Sequence, residues 1–323
     1  DERFQESGKH FDASELDSSY STVGAVLGGP VLRDTLWFFL SGERIEERDT
    51  EGGSPTTEVL NAGSYLGKLT CQIGAAWRLM AKYSSEPATI DIETASSGVG
   101  PEPTSHQESD KRILNGELFG MLSDSLLWDA TFGFYRRPVD VYPQSGDLQS
   151  ISHRNLDTGR LTGNYPYQQY HQRDRDDFTT ALTWFVDSFG GSHEFKGGLE
   201  YSATKNDRAN CWTGTPDGER CVPGGVGFRF LDIGIGSPVP YIMGEHHTAG
   251  ALTYEGSLYT GFVQDAWQVT AALTLKLGLR YDTVGYKTDT GDEIATLEKL
   301  QPRLAFAWDI TGDAKNVVRA NWG

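Results

Sequence analysis

Hydrophobic and polar residues alternate along much of the chain with a period of two. Between Leu273 and Asp282 the sequence reads LTLKLGLRYD, with leucine or tyrosine at every odd-numbered position and Lys276 and Arg280 among the even-numbered ones. Successive side chains of a β-strand point to opposite faces. This stretch therefore predicts a strand with one apolar face and one charged face.

The same alternation recurs in four further segments, over residues 77–83, 128–134, 194–203 and 303–310. In the third of these, Phe195, Leu199 and Tyr201 oppose Glu194, Lys196 and Glu200. No helical period of comparable length competes with this pattern. The sequence therefore predicts an all-β chain.

The predicted strands come in pairs. They cover 20–31 and 36–48, 63–74 and 77–84, 110–122 and 126–137, 175–187 and 193–205, 256–269 and 273–287, and 302–310 and 317–322. Tight connections at 32–35, 123–125, 188–192 and 311–316 join strands within pairs. Between pairs lie longer segments rich in Gly, Pro, Ser, Asn and Asp, as irregular loops are, and the longest covers about 206–254.

Short connections at one end of the strands and long loops at the other are typical of an outer-membrane β-barrel. We predict an antiparallel up-and-down transmembrane β-barrel, partial, with about twelve strands of a larger barrel, short periplasmic turns and long extracellular loops. Aromatic residues near strand ends fit the interfacial girdles of such a barrel; they are Trp77, Tyr83, Trp128, Trp267 and Tyr281.

An antiparallel sheet with one face on a soluble core would alternate in the same way. The strong charge on the polar face and the placement of the long loops at one end favour contact with lipid instead. The predicted location is thus the bacterial outer membrane, with outer-membrane lipid as a partner.

Composition and charge narrow the choice of function. The net charge of −17 argues against nucleic acid as a partner, because a phosphate-binding protein needs a basic face. The chain has no run of about 18 apolar residues, which excludes a helical membrane span. No spacing of Ser, His, Cys or paired carboxylates indicates catalysis, and we expect neither a cofactor nor a metal.

Both ends of the chain read as internal. It opens on the polar run Asp1–Ser18, which is no signal peptide, and stops at Ala320–Gly323 inside a predicted strand. We therefore expect residues 1–323 to be a partial barrel domain.

Three segments carry a resemblance to a known family. Residues 28–39 read GGPVLRDTLWFF, residues 261–282 read GFVQDAWQVTAALTLKLGLRYD, and residues 301–309 read QPRLAFAWD. In order and spacing they resemble the barrel of Oar-like TonB-dependent receptors, and the likeness covers nearly the whole chain. The hairpin at 261–282 is the most specific of the three.

The resemblance implies energised import of a large, scarce substrate across the outer membrane. It also implies a barrel of about 22 strands around an N-terminal plug, with the plug and the TonB complex as partners. The plug, the TonB-interacting region and the C-terminal strands would lie outside this chain. The substrate stays unknown.

Two functions from other classes stay open. A passive porin or adhesin-type barrel would share the alternation and the loops, and a soluble all-β carbohydrate-binding domain would place a core behind the apolar face. A receptor gene should encode a plug before Asp1, whereas a porin gene should not.

Several residues are candidates for particular roles. We expect Lys276, Arg280, Asp282 and Glu200 to face the lumen and to pair with one another or with the plug. Gln264 and Asp265 precede a periplasmic turn, where a structural hydrogen-bonding role is favoured over substrate contact.

The longest loop contains two of the three cysteines, Cys211 and Cys221. In an oxidising surface compartment a disulfide between them is the natural interpretation. Cys71 falls on the apolar parity of its strand and is expected to face lipid. Tyr165, Tyr167 and Tyr170 form an aromatic patch in a predicted extracellular loop, which could either contact substrate or pack the loop onto its neighbours.

Overall fold

The computed structural model describes residues 18–50, 54, 56–92, 102–155, 161–188, 190–214, 226–232, 240–247, 252–288 and 290–323. Only the main chain is described for Asn155 and for residues 226–232 and 240–247. The fold is all-β, as predicted. No helix in these ranges is long and apolar enough to cross a membrane.

Sixteen strands make up the described part of the chain. They are β1 (Ser19–Leu32), β2 (Leu36–Asp49), β3 (Glu58–Ile73), β4 (Trp77–Asp91), β5 (Ser105–Ser123), β6 (Leu126–Pro143), β7 (Ser152–Asn155), β8 (Leu161–Gly163), β9 (Tyr167–Val186), β10 (Ser192–Trp212), β11 (Val226–Asp232), β12 (Pro240–His247), β13 (Leu252–Thr270), β14 (Leu273–Thr288), β15 (Glu293–Asp309) and β16 (Val317–Trp322).

Twelve of these strands form one antiparallel sheet in the order β1-β2-β3-β4-β5-β6-β9-β10-β13-β14-β15-β16. Each strand therefore pairs with the next long strand of the chain, which confirms the predicted up-and-down topology and strand number. A second sheet in the order β12-β11-β7-β8 arises from the two long connections, after β6 and after β10. The sequence did not predict it.

The connections at one end of the twelve-stranded sheet, its turn end, are tight. Between β1 and β2 the turn places Asp34 in the left-handed region with φ of 61°, and between β3 and β4 Gly74 has φ of 62°. Aspartate tolerates this conformation and glycine adopts it freely, so short turns can form at both places.

At the opposite end, the loop end, several strands are longer than predicted. β6 continues to Pro143 rather than 137, β9 begins at Tyr167 rather than 175, and β10 continues to Trp212 rather than 205. These extensions carry polar residues on both faces as well as buried hydrophobic residues such as Val141, Ala209 and Cys211, so they lack the single apolar face whose alternation reveals a half-buried strand.

The connection between β14 and β15 is also a correction. The sequence predicted a loop from 288 to 301, but β15 begins at Glu293 and leaves only residues 289–292 between the two strands. Its first half, EIATLEKL, mixes charged and apolar residues without strict alternation, which explains the error.

The apolar positions of each strand lie directly opposite the apolar positions of its neighbours, so apolar side chains form continuous rows across the sheet. One such row consists of Trp128, Leu182, Gly197, Val263, Leu279 and Pro302. We call this side of the sheet the apolar face. Leu199, in the next row, is 63% exposed, because the described residues place no core against this face.

Two glycines of the apolar face are covered by aromatic rings from neighbouring strands. A Cβ on Gly116 would lie 2.2 Å from the Phe132 ring, and one on Gly120 would lie 2.3 Å from the Trp77 ring. Aromatic residues that cover a cross-strand glycine help to fix strand register.

Aromatic residues border the apolar face on two levels, one near the turn end and one nearer the loop end. Trp184 lies near the turn end of β9. Phe178 lies six residues closer to the loop end, in one row with Tyr201 and Tyr259. Six residues of strand cover about 20 Å. This separation agrees with the apolar band of roughly 25 Å, bordered by aromatic girdles, of outer-membrane barrels.

Candidate functional site: the polar face of the sheet

The side of the sheet opposite the apolar face, the polar face, carries most of the charged side chains of the central strands. Glu200, Thr260 and Asp282 are direct cross-strand neighbours on β10, β13 and β14. Arg280 lies two residues from Asp282 on the same face. The register thus brings two carboxylates and one guanidinium together.

Arg280 binds both carboxylates. Its Nη1 and Nη2 donate to Oε1 and Oε2 of Glu200 at 3.2 and 2.8 Å, and its Nε donates to Oδ1 of Asp282 at 2.8 Å. Thr260 Oγ1 donates to the same Asp282 oxygen at 2.6 Å and accepts from Arg280 Nη2 at 3.1 Å. Gln301 Nε2 donates to the other Asp282 oxygen. The network joins β10, β13, β14 and β15.

Two carboxylates around one guanidinium give this network a net charge of −1, which the hydrogen bonds from Thr260 and Gln301 to Asp282 help to stabilise. A fork-shaped contact between arginine and a carboxylate is directional as well as strong. The arrangement is therefore suited to fixing four strands relative to one another.

The structure brings together three of the four residues predicted to face the lumen. Glu200, Arg280 and Asp282 are in contact, whereas Lys276 lies on β14 four residues closer to the turn end than Arg280, exposed on the same polar face. Within the described residues Lys276 forms no salt bridge.

The tyrosine patch is divided between two environments. Tyr165 is buried and packs edge-on against Tyr167, with ring centroids 5.8 Å apart, and Tyr167 packs against Trp212 at 4.5 Å. Tyr170 is exposed on the side of the apolar face. The predicted loop is wrong here, because Tyr167 and Tyr170 belong to β9. Tyr165 and Tyr167 contribute to packing, while substrate contact by any of the three stays a prediction.

The structure describes two of the three cysteines, Cys71 and Cys211. Cys211 is disulfide-bonded. Cys221 lies outside the described residues, so its pairing with Cys211 stays a prediction. Cys71 is a free thiol on β3 in register with Leu36 and Leu79 of the apolar face.

Asp265 is an ionisable residue on the apolar face, in one row with Phe195 and Leu277. Its Oδ2 lies 2.8 Å from Nδ1 of His193, whose ring stacks between Phe195 and Trp267 at centroid distances of 5.2 Å each. The side chains of His193 and Asp265 are 8% and 15% exposed. The expected structural hydrogen bond is therefore present for Asp265, whereas Gln264 forms no side-chain hydrogen bond among the described residues.

Sequence reasoning missed a cluster of basic side chains nearer the loop end of the polar face. Arg137 of β6 is the direct cross-strand neighbour of Arg173 on β9, and Arg208 of β10 is the neighbour of His171 on β9. Partial burial lowers the pKa of His171, and the positive charges of Arg173, Arg208 and Arg137 lower it further, against the hydrogen bond with Asn206 that raises it.

Extending the strand alternation of β6, β9 and β10 through residues 137–143, 167–174 and 206–212 would have placed these arginines on one face. Those segments were interpreted as loops, so the parity of their arginines had no meaning at the sequence level.

A twelve-stranded up-and-down sheet with an apolar band on one face and ion pairs on the other defines the wall of an outer-membrane β-barrel. Residues 50–301 match the family model described as outer membrane beta barrel domain. The chain belongs to this family, and its location is the bacterial outer membrane.

Solved structures with the same fold include three transporters and receptors. They are the outer membrane transporter YddB from Escherichia coli (TM-score 0.66, 13% identity, 94% of this chain and 38% of that one), BauA, the ferric preacinetobactin receptor from Acinetobacter baumannii (0.61, 15%, 95% and 46%), and the alcaligin outer membrane receptor FauA from Bordetella pertussis (0.61, 11%, 92% and 40%). The chain spans less than half of the length of each. No curated protein sequence matches it.

At these identities the likeness concerns the fold, which is that of the receptor barrel suggested by the three sequence segments. These proteins are transporters and receptors rather than enzymes, consistent with the expectation that the chain catalyses no reaction.

Proposed function

We propose that the chain forms part of the barrel wall of a TonB-dependent outer-membrane receptor that imports a large, scarce substrate. In this proposal the apolar face contacts lipid and the polar face lines the lumen. Glu200, Arg280, Asp282 and Lys276 are then lumen-facing residues, with a plug and the TonB complex as partners contributed from outside this chain.

The network centred on Arg280 is the observation that supports this proposal most. A wide lumen exposes its wall to water and to whatever fills the barrel, and ion pairs that cross four strands suit such a wall. Barrels of about 22 strands enclose a plugged lumen. Twelve strands in a chain that spans less than half of the matched proteins agree with a barrel of that size.

A conductance measurement distinguishes this function from a passive porin. The protein, in the longest form that its gene encodes, is inserted into planar lipid bilayers. A plugged receptor is expected to give no steady open-channel conductance. Steady conductance would contradict the proposal and favour the porin.

A further inference from the structure

We propose that Arg137, Arg173 and Arg208 form an anion-binding site on the polar face of β6, β9 and β10. Its ligand is a soluble molecule that carries two or more carboxylate or phosphate groups. The inference rests on the proposed function, because a ligand reaches the polar face from solution only if that face lines the lumen.

The register places the three guanidiniums on two adjacent rows. Arg137 and Arg173 are directly opposed across β6 and β9, and Arg208 lies one row further towards the loop end, on β10. Directly opposed side chains on one face have Cβ atoms about 5 Å apart, and diagonal neighbours lie about 7 Å apart. Three long arginine side chains at these spacings can converge on one ligand.

These arginines differ from the others of the same strands in lacking an acidic partner. Arg136 binds Asp176 at 2.6 Å, and Arg175 binds Asp177 at 2.8 Å. In the part of the chain that the structure describes, no carboxylate forms a salt bridge with Arg137, Arg173 or Arg208. Like charges that face each other across strands destabilise a sheet.

A shortage of acidic residues does not explain the unpaired cluster. The chain has 45 acidic and 28 basic residues. Asp174 and Asp207 are close in sequence, but alternation directs their side chains to the opposite side of the sheet, where Asp207 binds Lys205 at 3.1 Å. The positive charge of the polar face at this height is therefore not neutralised by its nearest carboxylates.

His171 holds one of the arginines in place. Its Nε2 lies 2.8 Å from Oδ1 of Asn206, and the Arg173 guanidinium contacts both ring nitrogens, with Nη2 3.2 Å from Nδ1 and Nε 3.3 Å from Nε2. A neutral ring that donates from Nε2 to Asn206 has Nδ1 free to accept from Arg173. The guanidinium is thus supported by an acceptor that adds no negative charge, so its own charge is left for a ligand.

The chemistry of guanidinium groups selects the ligand. Arginine presents a rigid, planar fork of donors that matches the oxygen pairs of carboxylate and phosphate groups. Lipid headgroups offer the same groups but belong on the apolar side of the sheet, so we assign the site to a dissolved ligand. An acidic segment of another part of the protein is the alternative occupant, and it would block binding of an added anion.

The test measures binding of inorganic pyrophosphate by calorimetry, using the longest form of the protein that its gene encodes, in neutral detergent at low salt. We expect Arg173→Gln and Arg137→Gln each to weaken binding at least tenfold, and the double variant to abolish it. Arg136→Gln is the matched control, because it removes the same charge at the same height from the opposite face. It is expected to change binding less than twofold.

Two results would overturn the site. One is a wild-type protein that does not bind pyrophosphate, and the other is an Arg136→Gln variant that loses as much affinity as Arg137→Gln. Heat-modifiable gel mobility of each sample shows that the barrel is folded. A protein that gives no steady conductance and does not bind pyrophosphate would refute the anion site alone, whereas specific pyrophosphate binding by a steadily conducting channel would refute the receptor function alone.

Discussion

Arginines on the polar face of β6, β9, β10 and β14 fall into two groups according to how their charge is balanced. Arg280 lies between Glu200 and Asp282 at hydrogen-bond distance, whereas Arg137, Arg173 and Arg208 have no acidic partner among the described residues. The first group is suited to stability and the second to binding.

Replacing Arg280 tests the structural group. The variant Arg280→Gln leaves Glu200 and Asp282 as neighbouring carboxylates without a cation between them. Because the network is partly exposed, solvent screening reduces the loss, and we expect the free energy of unfolding to fall by about 1–2 kcal/mol. Urea unfolding in detergent, followed by tryptophan fluorescence, measures this change.

Lys276→Gln is the control for this experiment. It removes one positive charge from the same strand and the same face, but from a residue without a salt bridge, so stability should be unchanged within about 0.5 kcal/mol. An equal loss in both variants would show that net charge matters and the network does not.

Asp265 provides a second test at this scale. In Asp265→Ala the buried Nδ1 of His193 loses its acceptor, and an unsatisfied buried polar group costs about 1–3 kcal/mol. The expected result is a lower unfolding midpoint in lipid vesicles. Gln264→Ala, on the other face of the same strand, should leave the midpoint unchanged. A stable Asp265→Ala variant would show that the pair with His193 is not structural.

At the scale of strands, alternation predicted what lies within the apolar band and failed beyond it. The segments around 77–83, 128–134 and 273–282 have one face against lipid, so hydrophobic and polar residues alternate in their sequences. Towards the loop end β6, β9 and β10 carry polar residues on both faces and buried hydrophobic residues such as Val141 and Ala209, so neither face is uniformly apolar. The sequence there resembles a loop, which is why the strand extensions and the arginine cluster on them were missed.

The apolar band makes a prediction about charge. An arginine at the lipid-facing midplane of a barrel costs about 2–4 kcal/mol. Leu199→Arg, in the middle of the apolar face, is expected to make folding into lipid vesicles less favourable by this amount. Thr131→Arg places the same residue on the exposed polar face of β6 and should cost less than about 1 kcal/mol. Equal costs would show that lipid does not contact the apolar face.

At the scale of the whole molecule, the twelve-stranded sheet ends in β1 and β16, which do not pair with each other in the described structure. The strand order, the antiparallel pairing and the apolar face of each strand could be predicted, because each follows from a local pattern of the sequence. The smaller sheet of β7, β8, β11 and β12 could not, because these short strands pair across two separate connections. Their contacts depend on the large sheet that holds those connections together.

Membrane partition of the chain tests the central claim, namely that the apolar face contacts lipid. The chain is prepared with and without detergent, and its circular dichroism and heat-modifiable gel mobility are compared. We predict a β-rich spectrum and a heat-dependent mobility shift only in detergent or lipid, because exposed rows of Leu, Val and aromatic side chains need an apolar solvent. A chain that is soluble, monomeric and cooperatively folded in plain buffer would contradict this account and favour a soluble β-domain with its core against the apolar face.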